Sequence, residues 1–417
     1  MCPDQIPGIM NRKNYLLALT AFLLIPAVIF AQENKPQIKV GGVFFLATYY
    51  DTYKSVESRE GVSYSFPMAP QLDEEGHDIN KAGQFGMSVY QTRLHVKASG
   101  FKLLNADARL YVETDFLGSK SDALQMIRLR HAYLDLRWEK DELLFGQTNN
   151  VESLEEVTSG LLTSGAGSPI ALLSRPMMIR YGRKLSDRWK TYAAVSYHRP
   201  QTGDAEAARN NGFPSVEGRI QYENSDNLLF GVAGSYKSMR PRLQTESGRR
   251  TEERIGSANV TAFLRYRLNN GYQIKFQGIY GSNLSHLGMA GGYGKRFGEE
   301  EKEDYGYTNF KGMSAWADFE SKSYNDFYFG LFAGYMENLG AEKTVDPSRL
   351  FARHADLHLT GRIGPRIAYF KDQIFLGLEY SLFFSRWGEK FNSHYRPTES
   401  YDMTYNHRIT LLVRYAF

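Results

Sequence analysis

The chain has 417 residues, is 42% hydrophobic and 14% aromatic, and sets 50 Lys+Arg against 46 Asp+Glu for a formal net charge of +4. Near-balanced charge with so many aromatics excludes an intrinsically disordered chain. Beyond Gln32 no apolar run approaches the roughly 18 residues a spanning helix needs, which excludes a helical membrane protein. A large soluble β protein is left, or a membrane protein whose strands a hydropathy average does not register.

The N-terminus comes first in chain order. Asn11-Arg12-Lys13 is a basic start, Leu16 to Phe30 an apolar run, and Ala31 before Gln32 a small-residue cleavage position. That directional order is a secretory signal peptide over 1–31, with Met10 as an alternative start, and 32–417 as the mature domain. The one cysteine, Cys2, falls in the removed segment, so the exported chain has neither a disulfide framework nor thiol chemistry.

From Gln32 onward the pattern is alternation. Asp107, Arg109, Tyr111, Glu113 and Asp115 interleave with Ala108, Leu110, Val112, Thr114 and Phe116. At the far end Arg408, Thr410, Leu412 and Arg414 interleave with Ile409, Leu411, Val413 and Tyr415. Period two with one apolar face is a half-apolar strand. Sixteen such runs follow one another: 38–50, 89–101, 106–116, 126–138, 142–148, 176–184, 189–197, 215–222, 228–237, 254–268, 272–283, 312–319, 326–336, 356–370, 373–384 and 406–417. Asn269-Asn270-Gly271 between two of them is a tight hairpin, since Asn and Gly tolerate positive φ.

The connections alternate strictly. Long ones (51–88, 117–125, 149–175, 198–214, 238–253, 284–311, 337–355, 385–405) take turns with short ones (102–105, 139–141, 185–188, 223–227, 269–271, 320–325, 371–372). This is the layout of an all-β transmembrane antiparallel barrel of about sixteen strands, with short periplasmic turns and long extracellular loops. Backbone groups in lipid must all be paired, so the sheet must close. Trp138 and Trp189 then fall at the periplasmic rim and Trp387 at the outer rim, where amphipathic rings favour the headgroup level.

With the apolar face on lipid, the other face is a lumen wide enough for solutes. Its predicted lining includes Arg93, His95, Lys97, Arg109, Glu113, Asp115, Arg128, Arg130, Arg180, Arg265, Arg362, Arg366 and Arg408, with Glu217, Arg219, Arg267, Lys275, His358, Glu379 and Arg414 on the same face. Basic groups dominate, and charge in a low-dielectric wall concentrates counter-ions, here anions. The connection 149–175 is apolar for an exposed loop (Leu154, Leu161, Leu162, Ile170, Leu172, Leu173) and is expected to fold into the barrel as a constriction. Glu152, Glu155 and Glu156 would then face the basic wall and shape an eyelet.

Other motifs carry less. Asp73-Glu74-Glu75 with Asp78, and Glu299-Glu300-Glu301 with Glu303 and Asp304, read as solvated loops, because calcium-loop spacing is missing. His354 and His358 would share a strand face but have no third ligand in a recognisable spacing, so no metal site and no cofactor is expected. There is no G-x-S-x-G, H-E-x-x-H, phosphate loop or dinucleotide fingerprint, so the chain is read as a channel and not as an enzyme.

The segments Gln91-Thr92-Arg93-Leu94, Tyr111-Val112-Glu113-Thr114-Asp115-Phe116, Arg128-Leu129-Arg130-His131-Ala132-Tyr133-Leu134 and Leu144-Phe145-Gly146-Gln147-Thr148, with the aromatic end of the last strand, resemble Gram-negative trimeric outer-membrane porins of the DcaP-like dicarboxylate group. The resemblance covers roughly residues 86–150. It implies a homotrimer of sixteen-stranded barrels in the cell outer membrane, among its lipid and lipopolysaccharide, passing small negatively charged solutes and no nucleic acid. Arg93, Arg128 and Arg130 would line the pathway. After Gly146-Gln147-Thr148 the chain departs from the group, with Asn149-Asn150-Val151 where an aromatic is usual. The alternatives are a phosphate- or oligosaccharide-selective channel, a barrel-embedded hydrolase and a surface adhesin.

Overall fold

The computed structural model describes residues 36–417 apart from 57, 119–122, 163–164, 166, 200–201, 203–205, 225–226 and 297–305. The expected signal peptide and the acidic run at 299–304 lie outside the described residues. Sixteen strands form the wall: β1 (Gln37–Asp51), β2 (Arg93–Leu103), β3 (Ala106–Asp115), β4 (Arg128–Arg137), β5 (Asp141–Gln147), β6 (Met177–Lys184), β7 (Trp189–Tyr197) and β8 (Ser215–Glu223) in the first half. The second half adds β9 (Leu228–Met239), β10 (Ile255–Arg267), β11 (Gln273–Ser282), β12 (Tyr307–Glu320), β13 (Phe327–Ala341), β14 (Leu357–Lys371), β15 (Ile374–Phe391) and β16 (Thr404–Ala416).

Each strand pairs antiparallel with the next, and β16 pairs with β1 from Val43↔Ala416 to Asp51↔Arg408. The sheet is therefore a closed barrel with no free edge, the arrangement that satisfies backbone groups without water. The period-two pattern becomes two faces: Ile409 and Leu411 are about half exposed on the outside (52% and 49%), while Arg408 and Thr410 point inward and are buried.

The short turns follow local rules. Leu104-Asn105 and Asp372-Gln373 each hold two successive residues at positive φ, the backbone of a twist-matched two-residue hairpin. Gly271 takes φ 88 in the predicted Asn-Asn-Gly turn.

At the long-loop end the strands outrun their alternation. β12, β13 and β15 extend past 312, 336 and 384, and short strands continue the sheet beside two of them: Gly291–Lys295 pairs with the start of β12 and Pro397–Ser400 with the end of β15. At the start of β12 three residues in a row, Thr308, Asn309 and Phe310, are buried, so the alternation that marks a strand is lost there. β2 begins at Arg93, not near 89, since 84–88 forms a separate strand on the upper half of β1.

Trp138 and Trp189 sit at the short-turn end; Trp189 packs edge-on to Tyr222 and Phe230. Trp387 does not join a rim girdle. It points into the barrel, 9% exposed, donates to the Pro67 carbonyl at 3.0 Å and packs with Phe66 and His354. His354 belongs to that aromatic cluster from a turn position at positive φ, so it shares no strand face with His358.

Candidate functional site

The loop between β5 and β6 (148–176) enters the barrel and follows the inner wall. The Val151 N–H donates to Glu217 on β8 at 3.0 Å, and Glu152 accepts from Thr261 on β10 at 2.6 Å. Lys275 on β11 reaches the Thr158 carbonyl, Gly160 N–H donates to Asp318 on β12 at 2.6 Å, and Leu162 N–H to Glu379 on β15 at 2.8 Å. Leu162 packs with Phe45, Ala47 and Leu412 of β1 and β16. The return limb meets Ser314 on β12 through the Ile170 carbonyl and the Leu287 carbonyl through Leu173 N–H.

Its leucines supply the apolar core that an empty barrel lacks. Leu154, Val157, Leu161, Ile170 and Leu172 pack with Phe263, Ile279, Trp316 and Phe332 of the wall. Each fully buried Leu or Ile contributes roughly 1.5–3 kcal/mol. The loop thus runs along the inner face of β8–β16, and the passage it leaves is bordered mainly by β2–β4, with Gln277, Trp316, Glu320, Arg366 and Arg414 on the other side.

That passage is a cavity of about 2270 Å³. Thirteen of its lining side chains are Lys or Arg and only four are Asp or Glu. Arg130 pairs with Glu113 at 2.6 Å and Asp115 at 3.0 Å, and Arg128 forks onto Asp115 at 2.9 and 2.5 Å. Among the described residues Arg93, Lys97, Arg175 and Arg414 also line the cavity and have no carboxylate at ion-pair distance. Arg93 lies over the Phe45 ring and Arg414 over Phe375, 3.8 Å from its centroid. Such stacking keeps a guanidinium fixed without neutralising it.

Of the predicted lining, Arg93, Lys97, Arg109, Glu113, Asp115, Arg128, Arg130 and Arg366 border the cavity. His95, Arg180, Arg265, Arg362 and Arg408 point inward but stand outside its lining. His95 packs on Tyr111, Arg180 pairs with Glu142 at 3.1 Å, and Arg265 is 3.8 Å from Glu223. Arg362 is bonded to Glu379 and Ser381, and Arg408 forks onto Asp51 at 2.8 and 2.6 Å. Both are buried beneath loop segments that cover the inner face of β14–β16.

The loop acids also divide. Glu155 borders the cavity, and Glu156 is exposed outside its lining. Glu152 does not face the basic wall: it is fully buried against β10, and burial, with Glu217 adding to it, pushes its carboxyl up to about 7.

Arg59, Arg175, Arg199, Lys322 and Arg353 are lining residues that alternation could not find, because they lie on connections. Arg175 had one signal: it ends an apolar loop beside Pro176. It lines the same cavity as Arg130, Arg128 and Arg93. Burial and these like charges hold its pKa well below the ordinary arginine value, with Asp115 opposing.

The same barrel occurs in solved proteins. An outer-membrane channel, DcaP of Acinetobacter baumannii, aligns with TM-score 0.67 and 14% identity over 92% of this chain and 97% of that one. An anion-selective porin from Comamonas acidovorans aligns at 0.57 and 10% identity over 92% and 100%. OmpT, an outer membrane protein of Vibrio cholerae in its trimer form, aligns at 0.53 and 10% over 92% and 99%. At these identities the likeness is one of fold. No family model and no curated protein sequence matches the chain.

Proposed function

From the porin fold as premise, we propose that the chain is a passive channel of a Gram-negative outer membrane that passes small hydrophilic anions. In this reading the short turns are periplasmic, the exposed apolar face contacts lipid and lipopolysaccharide, and three copies assemble as in the trimeric neighbour. The observation that carries it is the charge of the passage: thirteen basic against four acidic lining side chains, with Arg93, Lys97, Arg175 and Arg414 among the basic ones that have no carboxylate at ion-pair distance among the described residues.

The mechanism follows from geometry. In the passage an entering anion exchanges part of its hydration for guanidinium hydrogen bonds, chiefly from β2–β4. Arg93, Arg175 and the paired Arg128 and Arg130 present several adjacent donors, so an ion moves between sites of similar depth. Pairing with Glu113 and Asp115 keeps the well shallow enough for release. Cations meet a repulsive potential that water screens only partly in a narrow lumen.

The test is the reversal potential of the reconstituted protein in planar bilayers under a salt gradient. A potential favouring anions is expected, and Arg93→Gln with Arg175→Gln should move it toward zero. Cation preference, or a barrel that does not conduct, overturns the proposal.

A further inference from the structure

We infer that Ser174, His198 and Glu217 form a hydrolytic triad in the lumen wall, cleaving small carboxylic esters that carry an anionic group. This goes beyond the channel reading and does not rest on it. The three residues come from different places: Ser174 from the return limb of the β5–β6 loop, His198 from the position after β7, and Glu217 from β8. Ser174 Oγ lies 3.2 Å from His198 Nδ1, and His198 Nε2 lies 2.7 Å from Glu217 Oε1. A nucleophile bonded to a base that is oriented by a carboxylate is recognised by this geometry and not by sequence position.

The surroundings fit the roles. Glu217 also accepts from Ser196 Oγ at 2.5 Å and from the Val151 N–H at 3.0 Å, which fixes the carboxylate and through it the imidazole. A carboxylate at Nε2 holds the ring proton there, leaving the Nδ1 lone pair toward the serine. His286 packs edge-on to the ring with centroids 4.6 Å apart and is itself bonded to Lys237 Nζ at 2.7 Å. Ser174 and His198 both border the lumen cavity, so substrate and water reach them.

A developing oxyanion has a donor too. Among the described residues the backbone N–H of Arg175, the residue after the nucleophile, donates to no protein acceptor. That is the position from which an oxyanion is held when a serine attacks. The Arg175 side chain, whose Nε has no partner, adds the positive field that selects an anionic acyl group.

The reaction balances within ester and water. Ser174 Oγ adds to the ester carbonyl carbon while its proton passes to His198 Nδ1. The acyl C–O bond breaks, and the alcohol leaves with that proton. Water then adds to the acyl-serine, giving a proton to Nδ1. Cleavage of the Oγ–acyl bond returns that proton to Oγ and releases the carboxylic acid. Ser174 and His198 are catalytic residues, and Glu217 is a positioning residue.

The full-length barrel is treated with a fluorophosphonate probe, and the adduct is located by peptide mapping. Hydrolysis of the mono-p-nitrophenyl ester of succinate is compared with that of p-nitrophenyl butyrate. The expected result is an adduct on Ser174, a preference of roughly tenfold for the anionic ester, and loss of hydrolysis in Ser174→Ala. Glu217→Gln should lower kcat by about a hundredfold or more with little change in KM and alter the pH profile. The wild-type adduct map decides even if a variant does not assemble. Conductance is measured on the same preparation. A conducting barrel with Ser174 unlabelled, or with hydrolysis unchanged in Ser174→Ala, overturns the triad and leaves the channel. Labelling of Ser174 in a non-conducting barrel does the reverse.

Discussion

Glu379 on β15 accepts a hydrogen bond at 2.8 Å from the backbone N–H of Leu162, at the far reach of the β5–β6 loop. Its other oxygen is bonded to Arg362 and Ser381, and the residue is fully buried. Asp318 repeats the device: it takes the Gly160 N–H at 2.6 Å while Arg366 forks onto it at 2.7 and 3.0 Å. Loop N–H groups without partners in a buried setting would each cost free energy, so two carboxylate–arginine pairs in the wall fix the path of the loop inside the barrel.

Breaking one pair should free the loop. Glu379→Ala removes the carboxylate bonded to the buried Arg362 guanidinium and the acceptor of the Leu162 N–H, a cost of about 3–5 kcal/mol. We expect a larger and noisier single-channel conductance and new protease cleavage within 155–170. Deletion of 155–170 should give the larger conductance without the noise. Unaltered conductance in both variants would count against the loop as the constriction.

Selectivity should track the unpaired arginines. Arg175→Gln removes one charge from the cluster with Arg93, Arg128 and Arg130, and the anion-to-cation permeability ratio is expected to fall about 2–5-fold, as for a charge interacting at high effective dielectric. Arg408→Gln leaves the ratio as it was, because that guanidinium is buried on Asp51. Equal effects of the two substitutions would contradict the assignment.

Stability should depend on pH through Glu152. Its folded carboxyl is raised to about 7 from an ordinary 4.5. Folding therefore favours the protonated form, and stability is highest below about pH 4.5. It falls as pH rises to about 7, then levels, a loss of at most about 3 kcal/mol. The wild-type unfolding temperature should decline over that window relative to Glu152→Gln, which lacks the titration. Parallel curves for the two proteins would rule the site out.

Barrel closure has its own sensitive point. Gly42 exchanges two backbone hydrogen bonds with Phe417, at 2.9 and 3.1 Å, where β16 meets β1. A Cβ on Gly42 would stand 2.5 Å from the Arg93 carbonyl oxygen and 2.6 Å from the Phe417 ring. Gly42→Ala should cost about 1–3 kcal/mol by overpacking. The readout is the fraction of refolded protein that keeps the fast gel mobility of a closed barrel, and an undiminished fraction would refute the close contact.

Much of the fold was legible because each strand carries its own evidence. A residue such as Ile409 faces outward whatever its neighbours do, since consecutive side chains on a strand point to opposite faces. The loop's apolar residues, Leu161 and Leu172 among them, likewise announced that 149–175 is not solvated. Trp387 was misplaced for the converse reason: position along a strand gives height in the barrel, while inside or outside depends on the covering segment at Pro67.

The sequence by itself determined the sixteen-strand closed sheet, the sides on which long and short connections lie, and the inward set of arginines, because these follow from local periodicity and the need to pair backbone groups. Only the tertiary structure decided which inward charges meet the passage. Arg93 and Arg408 have the same strand setting in sequence, yet Arg93 borders the cavity and Arg408 is buried on Asp51. The path of one loop makes that difference, through contacts such as Leu162–Glu379 and Val151–Glu217 that join residues far apart in the chain. Ser174, His198 and Glu217 converge by the same long-range packing, for which no short motif exists.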